Sequence, residues 1–372
     1  MPTQFSEFQR LRAAIAVDRD RFCVAIHELE ADDPFSIILE YDGSFPQPWS
    51  RVEVQRNVFC VTARAGAQPG DRPYVAISDE GDVFFIEDGG IRTEKIPGAG
   101  IYSDDADGSG GMAGLSSLGA GLVAFGMGGQ LYERDSSGSW FRLIISNAQA
   151  GRLGSFSFLE SYSGSALAGG RIEAEFWRTP EQIQKEMMET DDLERYHELS
   201  EEAERWAEGQ GIVQTPVGLL LQSGGDDWQK VDVKTEQVLN AAFVEYRERI
   251  WIVGSGGLIL VGNPRDGFQD QSFHGDRAQS HVSITKFRDR LVIASDYRLS
   301  WFDGHILTPL KPRLEPSING GVPTPLKVQA VDDVLWLFDY KHGILRYDGE
   351  NWEDIAIPPE LLERNFQGLS RP

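Results

Sequence analysis

One pattern recurs along the chain: a short run of β-branched and aromatic residues, a tight polar turn, a second run, and often Gly or Asp-Gly just ahead of Trp. Its clearest copy is LWLFDYKHGILRYDGENWEDIAI, Leu335 to Ile357, where turn formers separate runs of strand-forming residues. Val24, Val75, Val123, Leu167, Ile250, Leu291 and Leu335 mark the same strand in successive copies, at intervals of 51, 48, 44, 83, 41 and 44 residues. A period of about 40 to 50 residues built from four short strands is that of a β-propeller blade. The sequence therefore predicts an all-β, seven-bladed β-propeller in which one interval is nearly doubled.

The strands are expected to alternate apolar and polar residues. First strands fall near Ala14 to Asp18, Leu115 to Leu118 and Phe156 to Glu160, and outer strands at Trp49 to Val54, Trp140 to Ile145 and Trp352 to Ile357. A lone blade leaves both faces of its sheet bare, so neighbouring blades must cover it and the ring must close. All 372 residues are thus expected to form one cooperative domain. How the ring closes stays open: Pro358 to Pro372 reads as a tail or a covering segment, and Thr3 to Leu11 as a helix or an extra strand.

Runs such as GILRYDGENW (Gly343 to Trp352), RLSWFDGHI (Arg298 to Ile306) and GLLLQSGGDDW (Gly218 to Trp228) resemble the propeller repeats of two-component-regulator sensors and the related Asp-box or BNR repeats. The strict Asp-box pattern is met nowhere intact; Ser78, Asp79 and Gly81 come nearest, with Asp79 one place early. What the resemblance implies is a recognition scaffold whose loops differ from member to member, with the Asp-box residues themselves structural.

Charge narrows the partners. The chain carries 58 acidic and 35 basic residues, a net charge of −23. Such a field repels nucleic acid and anionic membranes; it either steers a basic protein inward or serves only to keep an acidic protein in solution. No run approaches the roughly 18 apolar residues of a membrane span, and Met1 to Asp18 has no uninterrupted apolar core of a signal peptide. Cys23 and Cys60, both on expected strands, read as buried free thiols of a cytoplasmic protein.

The doubled interval has a helical cause. Residues 171–211 form an insertion in blade four, rich in helix formers and carrying thirteen acidic and five basic residues. Thr179, Pro180 and Gln182 make a helix start, and Thr190 with Asp191 and Asp192 a second start or a kink. Leu193, Tyr196, Leu199, Ala203 and Trp206 recur as one apolar stripe. Either the stripe docks on the propeller and the acids are merely solvated, or the arm binds a partner through Glu181, Glu186, Glu189, Asp191, Asp192, Glu194, Glu198, Glu201, Glu202 and Trp206.

Chemistry-bearing motifs are sparse. Asp105, Asp107, Ser109 and Gly110 match the first half of a calcium loop, but Ser116 stands where the bidentate Glu belongs, so an ordinary inter-blade loop is favoured. The six His show no zinc spacing, and no Walker loop or nucleophile elbow is present, so no cofactor is expected. Arg51, Arg92, Arg142, Arg247 and Arg298 are the material from which a sialidase-like cluster could be drawn, though each also suits a surface strand.

The functional expectation is a non-catalytic, cytoplasmic, monomeric protein-binding propeller that captures a basic protein, in one version an immunity or antitoxin-type protein facing a toxin effector. The alternatives are a glycan-binding or glycan-processing propeller, favoured by funnel aromatics with clustered Arg, and a sensor or assembly scaffold.

Overall fold

A computed structural model describes the chain from Phe5 to Arg364, apart from residues 6–8, 29–32, 66–71, 89, 120, 148–149, 152–153, 173–179, 191, 208–216, 225–226, 246–248, 274–278 and 317. It contains seven sheets, each built on four consecutive antiparallel strands in the order one to four and one of them carrying an added fifth strand, arranged as the blades of a propeller. The inner strands are Gln9–Ala16, Val58–Ala63, Met112–Leu118, Gly154–Tyr162, Leu239–Glu245, His281–Phe287 and Pro325–Val331. All seven landmark residues fall on second strands, as the repeat predicts. Of the Thr3 to Leu11 segment, Gln9, Arg10 and Leu11 start the first inner strand, while residues 3, 4 and 6–8 lie outside the described set.

The core is a ring of seven apolar clusters, one at each interface between neighbouring blades. Because side chains alternate across a strand, the second strand of blade one sends Phe22, Val24 and Ile26 toward blade seven and Cys23 and Ala25 toward blade two. Strands covered on both faces need no polar alternation. The second strand of blade seven, VLWLFD, is buried along its whole length, so the expected apolar–polar alternation fails there and in its counterparts.

The ring closes face to face, each blade keeping its own four strands. Gln329 accepts a hydrogen bond from Ala16 N (3.0 Å) and returns one to Ala16 O (2.9 Å), standing in for a strand at the bare inner edge. Trp336 packs edge-on against Phe22 at 5.1 Å and donates Nε1–H to Asp18 O. Beyond the last strand, Ile355, Ile357 and Leu362 join this closing cluster, while Gln9 and Arg51 donate to the carbonyls of Leu362 and Leu361. Residues 358–364 therefore cover the seam.

Asp-Gly turns ahead of the outer strands are built as the repeat implies. Asp348 Oδ1 accepts from Glu350 N and Asn351 N, and Gly349 takes a left-handed φ of 104° that a Cβ would disfavour. Asp303 and Gly304 repeat the device in blade six. One expected outer strand divides: Trp140–Arg142 stays in blade three, but Ile144–Ile145 crosses over and pairs in parallel with Asp227 and Trp228, giving blade four a fifth strand. Asp227 anchors it by accepting from Ser146 N at 3.0 Å.

Candidate functional site

Topology fixes which loops share a face. Inner strands begin at one face, here the upper one; second strands return to it, so links between second and third strands and between blades lie there. The blade-four insertion leaves after Ile172 and re-enters at Val217, two residues paired across the sheet and level with Gly154, where the inner strand begins. The arm thus springs from the upper face.

Two helices of the arm are described, Pro180–Glu189 and Leu193–Ala207. The break between them lies at the expected Thr190: Thr190 Oγ1 accepts from Asp192 N, and Asp192 Oδ1 in turn caps the second helix through Arg195 N. Arg195 ties the helices together, bonding Glu186 of the first at 3.0 Å and Glu198 of the second at 2.6 Å. Ile183 and Leu199 are buried. The expected stripe is only half realised, since Leu193 is 76% and Tyr196 43% exposed, beside Met188 at 75%. With two short helices packed on each other, only the residues facing the partner helix can be covered.

Of the acidic positions singled out in the sequence, Glu189, Asp192, Glu198 and Glu201 are exposed, and Glu186 is half-buried against Arg195. Asp191 lies outside the described residues, as do the side chains of Glu181, Glu194, Glu202 and Trp206 and the cap residue Thr179. Elsewhere on the upper face, links between strands or blades expose Ile101, Tyr102, Tyr297 and Val322. With the three arm residues these make seven of the eleven large hydrophobics exposed among the described residues; only Phe45 and Ile306 lie on lower-face turns.

At the centre runs a channel of about 990 Å³ walled by the inner strands. Each inner strand carries a one-residue bulge near its start, and the residues passed over in pairing are Arg12, Phe59, Ala113, Ser157, Asn240, Val282 and Leu326. All seven line the channel at its upper end. Sequence periodicity could not show this ring, because a bulge displaces one residue without breaking the run around it.

The lining holds four cations, Arg12, Arg21, Arg64 and Lys327, and one acid, Glu160. Arg21 is paired with Asp18 at 2.5 Å and Arg64 donates to Arg72 O, both at the lower end. At the upper end the Arg12 guanidinium lies 4.4 Å over the Phe59 ring. Lys327 Nζ donates to Ala14 O at 3.1 Å across the closing seam. Burial within the channel walls raises Glu160 to about 7, with Lys327 pulling the other way, and the same burial lowers Lys327. Cys60 shares the wall, raised by burial and donating to Leu115 O; it is half-buried, lining the channel and packing against the cluster between blades two and three, whereas Cys23 is fully buried, and both are free thiols. The sequence signal of these channel residues is a charged residue within an inner strand, as in RLRAAIA or PLKVQAV.

Other candidates disperse. Asp107 is engaged by Arg142 at 2.6 Å and by Ser109 N, and Asp105 by Gly98 N, which is loop architecture rather than a cation cage. Among the described residues no group of three His, Cys, Asp or Glu is placed to hold a metal. Arg51, Arg92, Arg142 and Arg298 sit on third or outer strands away from the channel, the first three tied to Glu53, Glu87 and Asp107, so they do not converge; Arg247 is outside the described residues. The two-carboxylate geometry of a glycosidase is not met by the described channel lining, which offers Glu160 alone. No described helix is long and apolar enough to cross a membrane.

No family model and no curated protein matches the sequence. Solved structures do match in fold. YCF48 bound to a D1 peptide aligns with a TM-score of 0.58 at 14% identity, over 94% of this chain and 97% of that one. PorZ, a surface component of the type-IX secretion system of Porphyromonas gingivalis, aligns at 0.59 and 11%, over 91% of this chain and 46% of its own. The extracellular domain of BT4673 from B. thetaiotaomicron, described as a hybrid two component system, aligns at 0.56 and 11%, over 92% and 39%. The last two agree with the repeat type read from the sequence; at such identity the likeness is one of fold.

Proposed function

We propose that this propeller is a non-catalytic scaffold that captures a protein partner on its upper face, with the helical arm of blade four as the principal contact. The observation that carries this is the gathering of exposed Met188, Leu193, Tyr196, Ile101, Tyr102, Tyr297 and Val322 on one face of the disc. Apolar side chains held in water beside solvated carboxylates have the make-up of an interface whose centre desolvates while its rim steers. That YCF48, a propeller of similar extent, is solved with a peptide bound supports polypeptide recognition by this fold.

In its most specific form the partner is a basic toxin or effector, and this chain is its monomeric cytoplasmic immunity protein. The net charge of −23, with the arm's thirteen acids against five bases, supports that sign of partner. The test is a capture experiment from the source cells with the intact chain and with one in which Glu175 to Gln210 is replaced by a short Gly-Ser turn. Ile172 and Val217 are paired, so the hairpin can close without the arm. A basic protein retained by the intact chain and released by both arm removal and salt supports the reading; retention indifferent to both refutes it.

A further inference from the structure

We propose that the upper mouth of the central channel is a carboxylate-binding site, separate from the acidic arm and opposite to it in charge. In a chain of net charge −23, the channel lining has four cations to one acid. The two cations at the lower end are already engaged, Arg21 by a carboxylate and Arg64 by a carbonyl. Arg12 and Lys327, at the upper end, form no ion pair among the described residues.

Their positions are built by the fold. Arg12 is the bulged residue of blade one, and Lys327 directly follows the bulged Leu326 of blade seven, so the closing of the ring brings them to one sector of the mouth. Phe59 stiffens Arg12 by lying beneath its guanidinium, and His27, edge-on to Phe59 at 5.6 Å, donates Nε2–H to Val58 O. Burial, reinforced by Arg12, holds His27 down to about 4, so it stays neutral and adds no competing charge near pH 7. Lys327 Nζ uses Ala14 O for one of its three donors, leaving two for a ligand.

The rest of the bulge ring describes the body the carboxylate is attached to. Phe59, Ala113, Val282 and Leu326 are apolar, and the volume of about 990 Å³ lies at the top of the range of about 300–1,000 Å³ usual for small-molecule sites. Glu160, on the third residue after the bulge in blade four, faces this space from the far side of the ring. Above about pH 7, where Glu160 is ionised, it would repel a second negative charge on the ligand, so there the site selects monoanions. The ligand is therefore a single carboxylate on an apolar chain, whether a free monocarboxylate or the C-terminus of a peptide.

Isothermal titration of the full chain with hexanoate, hexylamine, and one apolar hexapeptide bearing either a free or an amidated C-terminus tests this. Hexanoate or the free-acid peptide should bind and their cationic or amidated counterparts should not. Binding by hexanoate alone identifies a small-molecule source, and binding by the free-acid peptide identifies a chain terminus. Lys327→Met and Arg12→Gln, both checked for an unchanged melting profile, should each weaken binding by about tenfold or more, while at about pH 8, where Glu160 is ionised, Glu160→Gln should admit adipate, which the native chain rejects. Equal binding of hexanoate and hexylamine, no binding of any carboxylate at millimolar concentration, or binding unmoved in folded Lys327→Met and Arg12→Gln would overturn the proposal.

Discussion

In the arm, carboxylates stand in solvent on two helices that pack on each other; at the channel mouth, cations stand on inner strands locked between blade interfaces. Both belong to the upper face, yet they are supported in different ways. An inner strand cannot shift without disturbing the blades on either side, so the channel presents charges at fixed positions. The arm interrupts two strands of one blade and its described helices pack on each other, so it can vary in sequence at little cost to the ring. A repeat scaffold thus separates a rigid, shaped site from a replaceable one.

Removing each region should expose the contrast. Replacing Glu175 to Gln210 by a short turn should abolish partner capture and leave the thermal unfolding midpoint of the ring nearly unchanged, as read by calorimetry. Trp336→Ala, in contrast, opens the closing seam where Trp336 meets Phe22 and Phe338, and should cost about 3–5 kcal/mol in a denaturant titration. If arm removal destabilised the ring as much as Trp336→Ala, the two regions would not be separable.

A smaller effect concerns the channel alone. Native Glu160 keeps its proton up to about pH 7, whereas the ordinary value is 4.5, so between these limits the folded state binds more protons than the unfolded one. Its contribution to stability is full below about pH 4.5 and drains away as pH rises to about 7. Relative to Glu160→Gln, the native chain should lose at most about 3 kcal/mol across that window, and less where channel water screens the carboxylate. Paired urea titrations of the two proteins at several pH values check this, and parallel stability curves would contradict it.

Salt gives the gentlest discrimination. Raising ionic strength from about 0.05 to 0.5 M should slow partner association through the exposed arm by about tenfold, while hexanoate affinity in the enclosed mouth changes only about twofold. Stopped-flow and titration measurements on the same preparation compare the two.

The legibility of these regions differs for a physical reason. Blade number, the second strands and the insertion are read directly from the sequence, because turn chemistry and burial act on neighbouring residues. The channel is assembled from seven inner strands distant in sequence, and its mouth depends on seven bulges that leave no periodic trace. The outer strand expected from Trp140 to Ile145 was divided by a tertiary pairing with blade four, and the arm's stripe lost Leu193 and Tyr196 to solvent because only one helix was there to cover it. Local rules described the elements well; which sides they would leave bare depended on what came to lie beside them.

Docking of a protein on the upper face through the arm is tested by partner retention on the intact chain, on the chain lacking Glu175 to Gln210, and on a Met188→Ser, Leu193→Ser, Tyr196→Ser variant. The same basic partner should be lost from both altered chains, while Phe45→Ser with Ile306→Ser on the lower face retains it. Retention by the arm-less chain, or loss from the lower-face variant alone, would contradict it.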